Sequence, residues 1–437
     1  MQVIFLIIIL CIGCLIIRKK GIDRFYLYLF GVIFIPSVIP LPFNGLPAHR
    51  FFAICFIVSI LWHDRKNFKS HIPLLFISIL LLISHFFTGY FDDRLSSYSK
   101  FWKPLINFIN TFFLLYLGYF TIITTCVEWK VFCRKMSNVL IVVCLYGIMT
   151  FILRVDPYAE LILKIFNINS DFTPIYSGDR IRTCSFLFNS HIFAYFCSVW
   201  ILFYIYFSFK RKLFNKEKIT FLLLICCLII SGSRSSLLSV ALGGLFFIFF
   251  AVNISKTVRY ILIVSVLFIP LSQTTLVQEK LSFITDIFKD DGGKTSGSNI
   301  SMREQQLEIS LMLYSRNPIW GNGFDYFGEV LSTNHDESNS DLKGLLGAES
   351  YYFILLIERG LVQIVLIVLF FMQLTLFLLK RKTINPLEYS LGLSLLLAFI
   401  FVSLITGNTS KWEYIFPLLG LLLCFPNIKY ISTYEKN

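Results

Sequence analysis

The sequence predicts an all-α fold, a polytopic bundle of about 13 transmembrane helices (roughly 12 to 14) with a large loop on one side of the membrane. Three observations support this fold class. Of the 437 residues, 56% are hydrophobic and only 15% are charged, whereas a soluble domain contains roughly 25% charged residues. Apolar runs recur along the whole chain, and short basic clusters follow several of them.

The apolar runs define the predicted spans. They cover residues 2–17, 25–41, 51–62, 72–88, 104–126, 137–153, 189–209, 219–231, 235–253, 257–271, 351–379, 388–406 and 414–426. Several are shorter than the about 20 helical residues that a hydrocarbon core requires, so tilted or re-entrant segments are alternatives to full crossings. The first run lacks a signal-peptide cleavage site, and we expect it to remain as an anchor. Together the spans predict a single membrane domain over residues 1–437.

Four basic clusters set the predicted topology. They are Arg18-Lys19-Lys20, Arg65-Lys66, Lys210-Arg211-Lys212 and Lys380-Arg381-Lys382. Such clusters are typical of the cytoplasmic side of a membrane. The formal net charge of +13 therefore reflects topology, and nucleic acid is not an expected partner. The two longest connections, residues 154–188 and 272–350, are then expected on the outer side of the membrane.

The longer loop contains a predicted helix over residues 301–316. Three apolar residues recur there at helical spacing: Leu307, Leu311 and Tyr314. We expect this helix to be amphipathic and to lie against the membrane domain. Ser301 and Glu304 have the spacing of a capping box at its start.

Arginines at the membrane edge are the first candidates for chemistry, because an arginine inside a span costs about 2.5–3.5 kcal/mol on insertion scales. Arg234 lies in S-G-S-R-S-S between two apolar runs. The small residues would let backbone amides approach an anion beside the forked guanidinium. A tight turn with a snorkelling arginine is the alternative. Arg180 and Arg182 precede the seventh span and could bind phosphate, or could instead pair with Asp179 or face solvent.

Further candidates surround the larger loop. Arg303 lies on the predicted loop helix, and Arg359 lies within the first turns of the eleventh span, where pairing with Glu358 is the alternative. The acid–base candidates are His335, in the polar stretch N-H-D-E-S, and Glu349, at the mouth of the eleventh span. A carboxylate at a helix start either stabilises the helix dipole or acts as a general base.

The spacing of possible ligands predicts neither a metal nor a cofactor. The six histidines show no H-x-H or H-E-x-x-H pattern, and no phosphate-binding glycine motif is present. The eleven cysteines form neither a disulfide framework nor a zinc spacing. An enzyme of this kind must therefore take a membrane-borne substrate from the outer face.

Four stretches together resemble the bacterial O-antigen polymerase and O-antigen ligase superfamily of integral membrane glycosyltransferases. They are R-T-C-S-F-L-F-N (182–189), S-G-S-R-S-S (231–236), R-N-P-I-W-G-N-G-F (316–324) and E-S-Y-Y-F-I-L-L-I-E-R-G-L (349–361). The resemblance implies a GT-C-like helical fold. It also implies a metal-independent, inverting transfer between undecaprenyl-pyrophosphate-linked glycans at the periplasmic face of the inner membrane.

The resemblance further implies roles for individual residues. Arg182, Arg234 and Arg303 would bind the donor pyrophosphate and stabilise the charge that grows on it. Ligases of this superfamily carry a histidine where this sequence has Glu349, which favours a polymerase with Glu349 as base or acceptor-sugar ligand. The remaining residues expected to support catalysis or pyrophosphate and glycan binding are Arg180, His335 and Arg359.

The predicted function is therefore polymerisation of lipid-linked repeat units within this superfamily. The expected partners are undecaprenyl-pyrophosphate-linked glycans and the bilayer, with a chain-length regulator and a flippase as further candidates. One alternative is a ligase that transfers glycan to lipid A core. The other is a lipid-linked oligosaccharide flippase or transporter, which would place its charges near the bilayer midplane.

Overall fold

The structure, a computed structural model, describes residues 1–36, 39, 41, 46–64, 72–124, 129–167, 176–177, 180–251, 300–328, 350–381, 385–407 and 412–423. Over these residues the fold is helical, as the sequence predicts, apart from one two-residue antiparallel ladder. The first helices are α1 (Gln2–Arg18), α2 (Gly21–Phe34), α3 (Ala48–His63), α4 (Leu75–Tyr90), α5 (Ser97–Ile109), α6 (Leu114–Thr124), α7 (Trp129–Leu153) and α8 (Pro157–Phe166). The ladder pairs β1 (Tyr176–Ser177) with β2 (Arg180–Ile181), and a 3₁₀ turn covers Ser185–Leu187. The remaining helices are α9 (Ser190–Lys210), α10 (Asn215–Ile230), α11 (Arg234–Ala251), α12 (Ile300–Tyr314), α13 (Tyr351–Arg381), α14 (Pro386–Ile405) and α15 (Trp412–Leu422).

The number of helices that could cross a membrane is smaller than predicted. Among the described residues, α7, α9, α11, α13 and α14 are long and apolar enough, and α5 with α6 forms a sixth candidate bent by 54°. The shorter apolar helices α1, α3, α4 and α15 have at most 17 residues. At 1.5 Å per residue such a helix covers about 25 Å, less than the about 30 Å of a hydrocarbon core. The expected 13 spans are not confirmed, and the predicted span over residues 257–271 lies outside the described residues.

Helices α9 and α11 run side by side in the same direction. The hydroxyl of Ser198 donates to the carbonyl oxygen of Ser236 at 3.1 Å. Further along both helices, Leu202 packs against Gly243, where an added Cβ would lie 2.8 Å from the leucine side chain. Because both contacts advance together along the chain, α9 and α11 begin at the same end.

Helix α14 packs against the same two helices in the opposite direction. The hydroxyl of Tyr206, late in α9, donates to Glu388 Oε1 at the start of α14, at 3.0 Å. The ring of Tyr195, early in α9, faces Phe399, late in α14, with centroids 6.5 Å apart. The C-terminal end of α14 therefore lies where α9 and α11 begin. We call these three helices the α9–α11–α14 group.

Helix α12 forms where the sequence predicts a helix, but a different face is packed. Its buried residues include Gln306, Ser310 and Leu313, whereas Leu307 and Leu311 are 39% and 47% exposed. Apolar side chains lose little by facing lipid, so a hydrophobic stripe does not identify the packed face of a membrane-associated helix. The predicted cap is also wrong, because the helix already begins at Ile300 and contains Ser301.

Helix α13 is broken at Gly360, whose backbone has φ 68° and ψ −172°, a conformation open essentially only to glycine. The loop of residues 318–323 fills the break. Four backbone hydrogen bonds join them: Asn322 N to Ile357 O (2.9 Å), Gly323 N to Glu358 O (3.0 Å), Leu361 N to Pro318 O (2.9 Å) and Val362 N to Ile319 O (3.4 Å). The loop thus satisfies backbone groups that the break frees. The break lies within the candidate span Tyr351–Lys380, and residues 361–380 alone provide about 30 Å of helix, about the thickness of a hydrocarbon core.

Candidate functional site

The stretches around Arg182 and Arg234 meet at the end where α9 and α11 begin. The chain between α10 and α11 turns through Gly232, whose φ is +69°, and Arg234 is the first residue of α11. A Cβ on Gly232 would lie 3.7 Å from Cγ and 3.9 Å from Nε of Arg182. The side chain of Arg182 therefore lies along the turn that leads to Arg234.

A chain of polar contacts continues from Arg182 into this turn. Arg182 Nη1 lies 3.4 Å from His191 Nε2, and His191 Nδ1 lies 3.3 Å from Ser233 Oγ. Ser233 Oγ in turn donates to Ser236 Oγ at 3.1 Å. A guanidinium only donates hydrogen bonds, so the network assigns a neutral His191 with its proton on Nδ1.

The backbone around this chain is held by short polar contacts. Asn189 caps α9, because its Oδ1 accepts from two N–H groups of the first turn at 2.9 and 3.1 Å. The hydroxyls of Thr183 and Ser185 donate to carbonyl oxygens of α7 at 2.8 and 2.7 Å. The segment that carries Arg182 is thereby fixed to α7 on one side and to α9 on the other.

The third arginine expected to bind pyrophosphate, Arg303, reaches the same end of the group. It lies on α12, and its Nη2 donates to the carbonyl oxygen of Ile405 at 3.4 Å. Ile405 ends α14, which packs along α11 through the hydroxyl of Ser239 and the carbonyl of Ala398, 3.3 Å apart. Three arginines, from a loop, a turn and the helix α12, therefore lie at one end of the α9–α11–α14 group, which we call the arginine end.

The opposite end of the group carries one of the basic clusters. Lys210, the last residue of α9, pairs with Glu388 at the start of α14. Next to it, Arg211 Nη2 pairs with Glu217 Oε1 at 2.6 Å. A helix of 21 residues such as α9 is about 30 Å long. The arginine end and the cluster Lys210-Arg211-Lys212 are therefore separated by about the thickness of a hydrocarbon core.

Arg359 has a different set of neighbours. Its Cζ lies 3.8 Å from the centroid of the Phe324 ring, and its Nε lies 3.9 Å from Glu358 Oε2. Its Nε and Nη1 are buried and have no hydrogen-bond partner among the residues that the structure describes. Arg359 directly precedes the break at Gly360, about two turns inside the candidate span Tyr351–Lys380. It belongs to the packing around the break.

The connection between α4 and α5 also contacts the loop that fills the break. Arg94 binds Asp92 with two charge-assisted hydrogen bonds, Nε to Oδ1 and Nη2 to Oδ2, each 2.9 Å long. Its Nη2 also donates to the carbonyl oxygen of Phe324 at 3.2 Å. Asp92 is buried, so this bidentate pair ties the loop to the end of α4.

A second ion pair lies beside it. Lys103 Nζ is 2.9 Å from Asp325 Oδ2. The surrounding protein removes water, which by itself raises the pKa of Asp325. The bond to Lys103 and the charges of Arg359 and Arg50 outweigh this and hold the pKa below its ordinary value.

Three of the predicted site residues are not described at the level of their side chains. Glu349 and His335 lie outside the described residues. Arg180 lies on β2, where its backbone pairs with Ser177, but its side chain is likewise outside the described part. Their proposed roles stay predictions.

Sequence reasoning missed His191, which joins two predicted arginine-bearing stretches. The available signal was its position directly after N-S, at the start of an apolar run and nine residues after Arg182. It also missed Asp325, whose partner Lys103 comes from a distant part of the chain, and Asp92, which pairs with Arg94 two residues later.

The chemistry of the arginine end favours an anionic ligand. Guanidinium groups and serine hydroxyls are present, and guanidinium binds phosphate through paired hydrogen bonds. The first N–H groups of α11, which begins at Arg234, have no partners within the helix and can also face an anion. Within the described part of the chain, no group of three or more His, Cys, Asp or Glu side chains could hold a metal ion.

These features favour an integral membrane protein with several arginines gathered at one end of a group of helices. Residues 219–368 match the family model described as O-antigen ligase. This match supports membership of the chain in the O-antigen polymerase and ligase superfamily. The matched region includes Arg234, Arg303 and the break at Gly360, whereas Arg182 and His191 precede it. No curated protein matches the chain.

Proposed function

We propose that this protein is an O-antigen polymerase that joins undecaprenyl-pyrophosphate-linked repeat units at the periplasmic face of the bacterial inner membrane. The observation that carries the proposal is the arginine end. Arg182 lies against the turn that begins α11 at Arg234, and Arg303 lies at the adjacent end of α14. The basic cluster at the other end of the group supports the outward direction, because such clusters are typically cytoplasmic.

In the proposed reaction, the arginines bind the pyrophosphate that links the growing glycan to its lipid. A hydroxyl at the non-reducing end of a new unit attacks the anomeric carbon, the glycosidic bond to phosphate breaks, and both electrons of that bond leave with the pyrophosphate. Guanidinium contacts stabilise this added charge. The leaving group is a weak base and needs no proton, whereas the attacking hydroxyl loses one to a base, for which we propose Glu349. Inversion at the anomeric carbon follows from this single displacement.

Ligation to lipid A core is the second candidate, and the description of the matching family favours it. A polymerase and a ligase differ in the acceptor. Purified protein incubated with lipid-linked repeat units alone is expected to yield a ladder of polymer lengths. A ligase would yield product only after lipid A core is added, and that result would contradict the polymerase.

Substitutions test the residues. We expect Arg234→Ala to lower polymerisation by about 10²–10³, the effect of removing one preorganised donor from a developing charge. Glu349→Gln is expected to lower it by about 10²–10⁴, the usual contribution of a general base. Gly244→Ala is the control on the same helix as Arg234, because no described residue lies within 4 Å of a Cβ at that position. Arg234→Ala and Glu349→Gln must insert in the membrane as well as the control does. Full polymerisation by both of them would then refute the proposed site.

A further inference from the structure

We infer that His191 is a positioning residue that holds the guanidinium of Arg182 against the Gly232 turn, in the orientation that receives a lipid pyrophosphate. The identity of this ligand rests on the proposed function. The inference itself rests on the contacts of His191 with two different elements, the segment before α9 and the turn before α11.

Arg182 needs a positioning residue because its side chain is long. A forked guanidinium binds phosphate well only when its plane is already oriented, since each free rotation must otherwise be lost on binding. The backbone next to Arg182 is fixed by Thr183, whose hydroxyl bonds to α7. The guanidinium itself extends away from that anchor to His191 Nε2, 3.4 Å from its Nη1.

The two ring nitrogens of His191 have opposite tasks. Nε2 faces a group that can only donate, so it must accept. Nδ1 then carries the proton and faces Ser233 Oγ at 3.3 Å, and Ser233 donates onward to Ser236 at 3.1 Å. All donors and acceptors in this series are matched. A residue that only filled space would require neither nitrogen.

The series also sets the two arginine-bearing segments relative to each other. Ser233 directly precedes Arg234, and Ser236 lies in the first turn of α11. The ring of His191 therefore connects the side chain of Arg182 to the backbone that carries Arg234. A pyrophosphate has two phosphoryl groups, and holding two cationic segments at a fixed separation suits such a ligand.

Two substitutions distinguish the roles of the two ring nitrogens of His191. The amide of glutamine extends as far as Nε2, so His191→Gln keeps an acceptor for Arg182. The amide of asparagine extends only as far as Nδ1, so His191→Asn keeps a donor for Ser233 and loses the contact with Arg182. With farnesyl pyrophosphate as the probe, we expect wild type and His191→Gln to bind within about three-fold of each other, and His191→Asn to bind about ten-fold more weakly.

A second background tests whether His191 acts through Arg182. Lysine cannot form the planar fork, so in Arg182→Lys protein the difference between the Gln and Asn variants should disappear. Equal binding by both variants in the wild-type background, or a difference that persists in the Arg182→Lys background, would overturn the inference. If either variant unfolds at a lower temperature than wild type, Ser233→Ala takes its place. We expect Ser233→Ala to bind farnesyl pyrophosphate about three-fold more weakly than wild type. Binding as tight as that of wild type would contradict the series of hydrogen bonds.

The probe keeps this test apart from the proposed function. Farnesyl pyrophosphate carries no glycan, so its binding is independent of any transferase activity. A ladder of polymer from wild type together with equal Gln and Asn affinities would overturn the positioning role alone. The expected Gln and Asn order without any polymer would overturn the polymerase assignment alone.

Discussion

The arginine end and the break at Gly360 each contain two of the four stretches that resemble the superfamily, but they use those residues differently. At the arginine end the contacts are made by side chains, from Arg182 through His191 to Ser233. At the break they are made by the backbone, because N–H and C=O groups of the loop and of α13 pair with each other. Stretches that resemble the same superfamily therefore form a network of side-chain contacts in one region and a set of backbone contacts in the other.

This difference bears on Arg359, whose role in binding pyrophosphate or glycan stays a prediction. The sequence places it among the pyrophosphate and glycan candidates, since a cation near a span suggests function. In the structure its guanidinium lies on the ring of Phe324, in the loop that fills the break. A cation over an aromatic face is stabilising, more so where water is excluded. We therefore expect substitutions near the break to change stability and those at the arginine end to change ligand binding.

The largest effect is expected at Gly360. Gly360→Ala would place a Cβ 2.5 Å from Gly321 N and Ile319 O, at a φ of +68°. Strain and overlap together should destabilise the protein by about 3 kcal/mol or more. The measurement is the temperature at which the detergent-purified protein loses its monodisperse size-exclusion peak.

Gly244→Ala is the matched control for Gly360. It makes the same substitution in a regular helix, and in the described part of the chain nothing lies within 4 Å of the new Cβ. Alanine is favoured over glycine in a helix by about 1 kcal/mol, so this variant should be as stable as wild type or slightly more so. If Gly360→Ala lost no more stability than Gly244→Ala, the break would not be needed for stability.

A smaller effect is expected from Phe324→Leu. Phe324 is 1% exposed and carries the cation–π contact with Arg359. Leucine keeps an apolar side chain but removes the ring, so we expect a loss of about 1–2 kcal/mol. Urea titration of the purified protein measures it. An unchanged midpoint would mean that the guanidinium gains nothing from the ring.

The smallest effect is expected from Asp325→Asn. The carboxylate is 76% exposed in its pair with Lys103, and such surface pairs contribute at most about 1 kcal/mol. Asparagine tolerates the positive φ of 59° found here. Because the pKa of Asp325 is lowered in the folded state, the advantage of wild type should be present at neutral pH. It should disappear as the pH falls through that lowered pKa, and an advantage that survives strong acid would contradict the pair.

The helical class of the fold could be predicted because hydrophobic runs and basic clusters are local signals. The number of spans could not be predicted in the same way, because α13 extends past its break and α5 with α6 bends within one predicted crossing. Arg182 and Arg234 could be chosen because charge in an apolar context is conspicuous. The contact that joins them could not, because His191 looks like an ordinary first-turn residue in the sequence. The packed face of α12 was also unpredictable, because lipid accepts leucine as readily as a protein core does.

The central claim is that lipid pyrophosphate binds at the arginine end and that the contacts of Phe324 at the break stabilise the fold. It is tested most directly by the shift in unfolding temperature that farnesyl pyrophosphate causes in wild type, Arg234→Ala and Phe324→Leu. Ligand at 100 times its Kd stabilises a protein by about 2.7 kcal/mol. We predict that Phe324→Leu without ligand unfolds at a lower temperature than wild type and shows the full ligand-induced shift. Arg234→Ala without ligand should unfold near the wild-type temperature and show almost no shift. A full shift in Arg234→Ala together with none in Phe324→Leu would contradict the account.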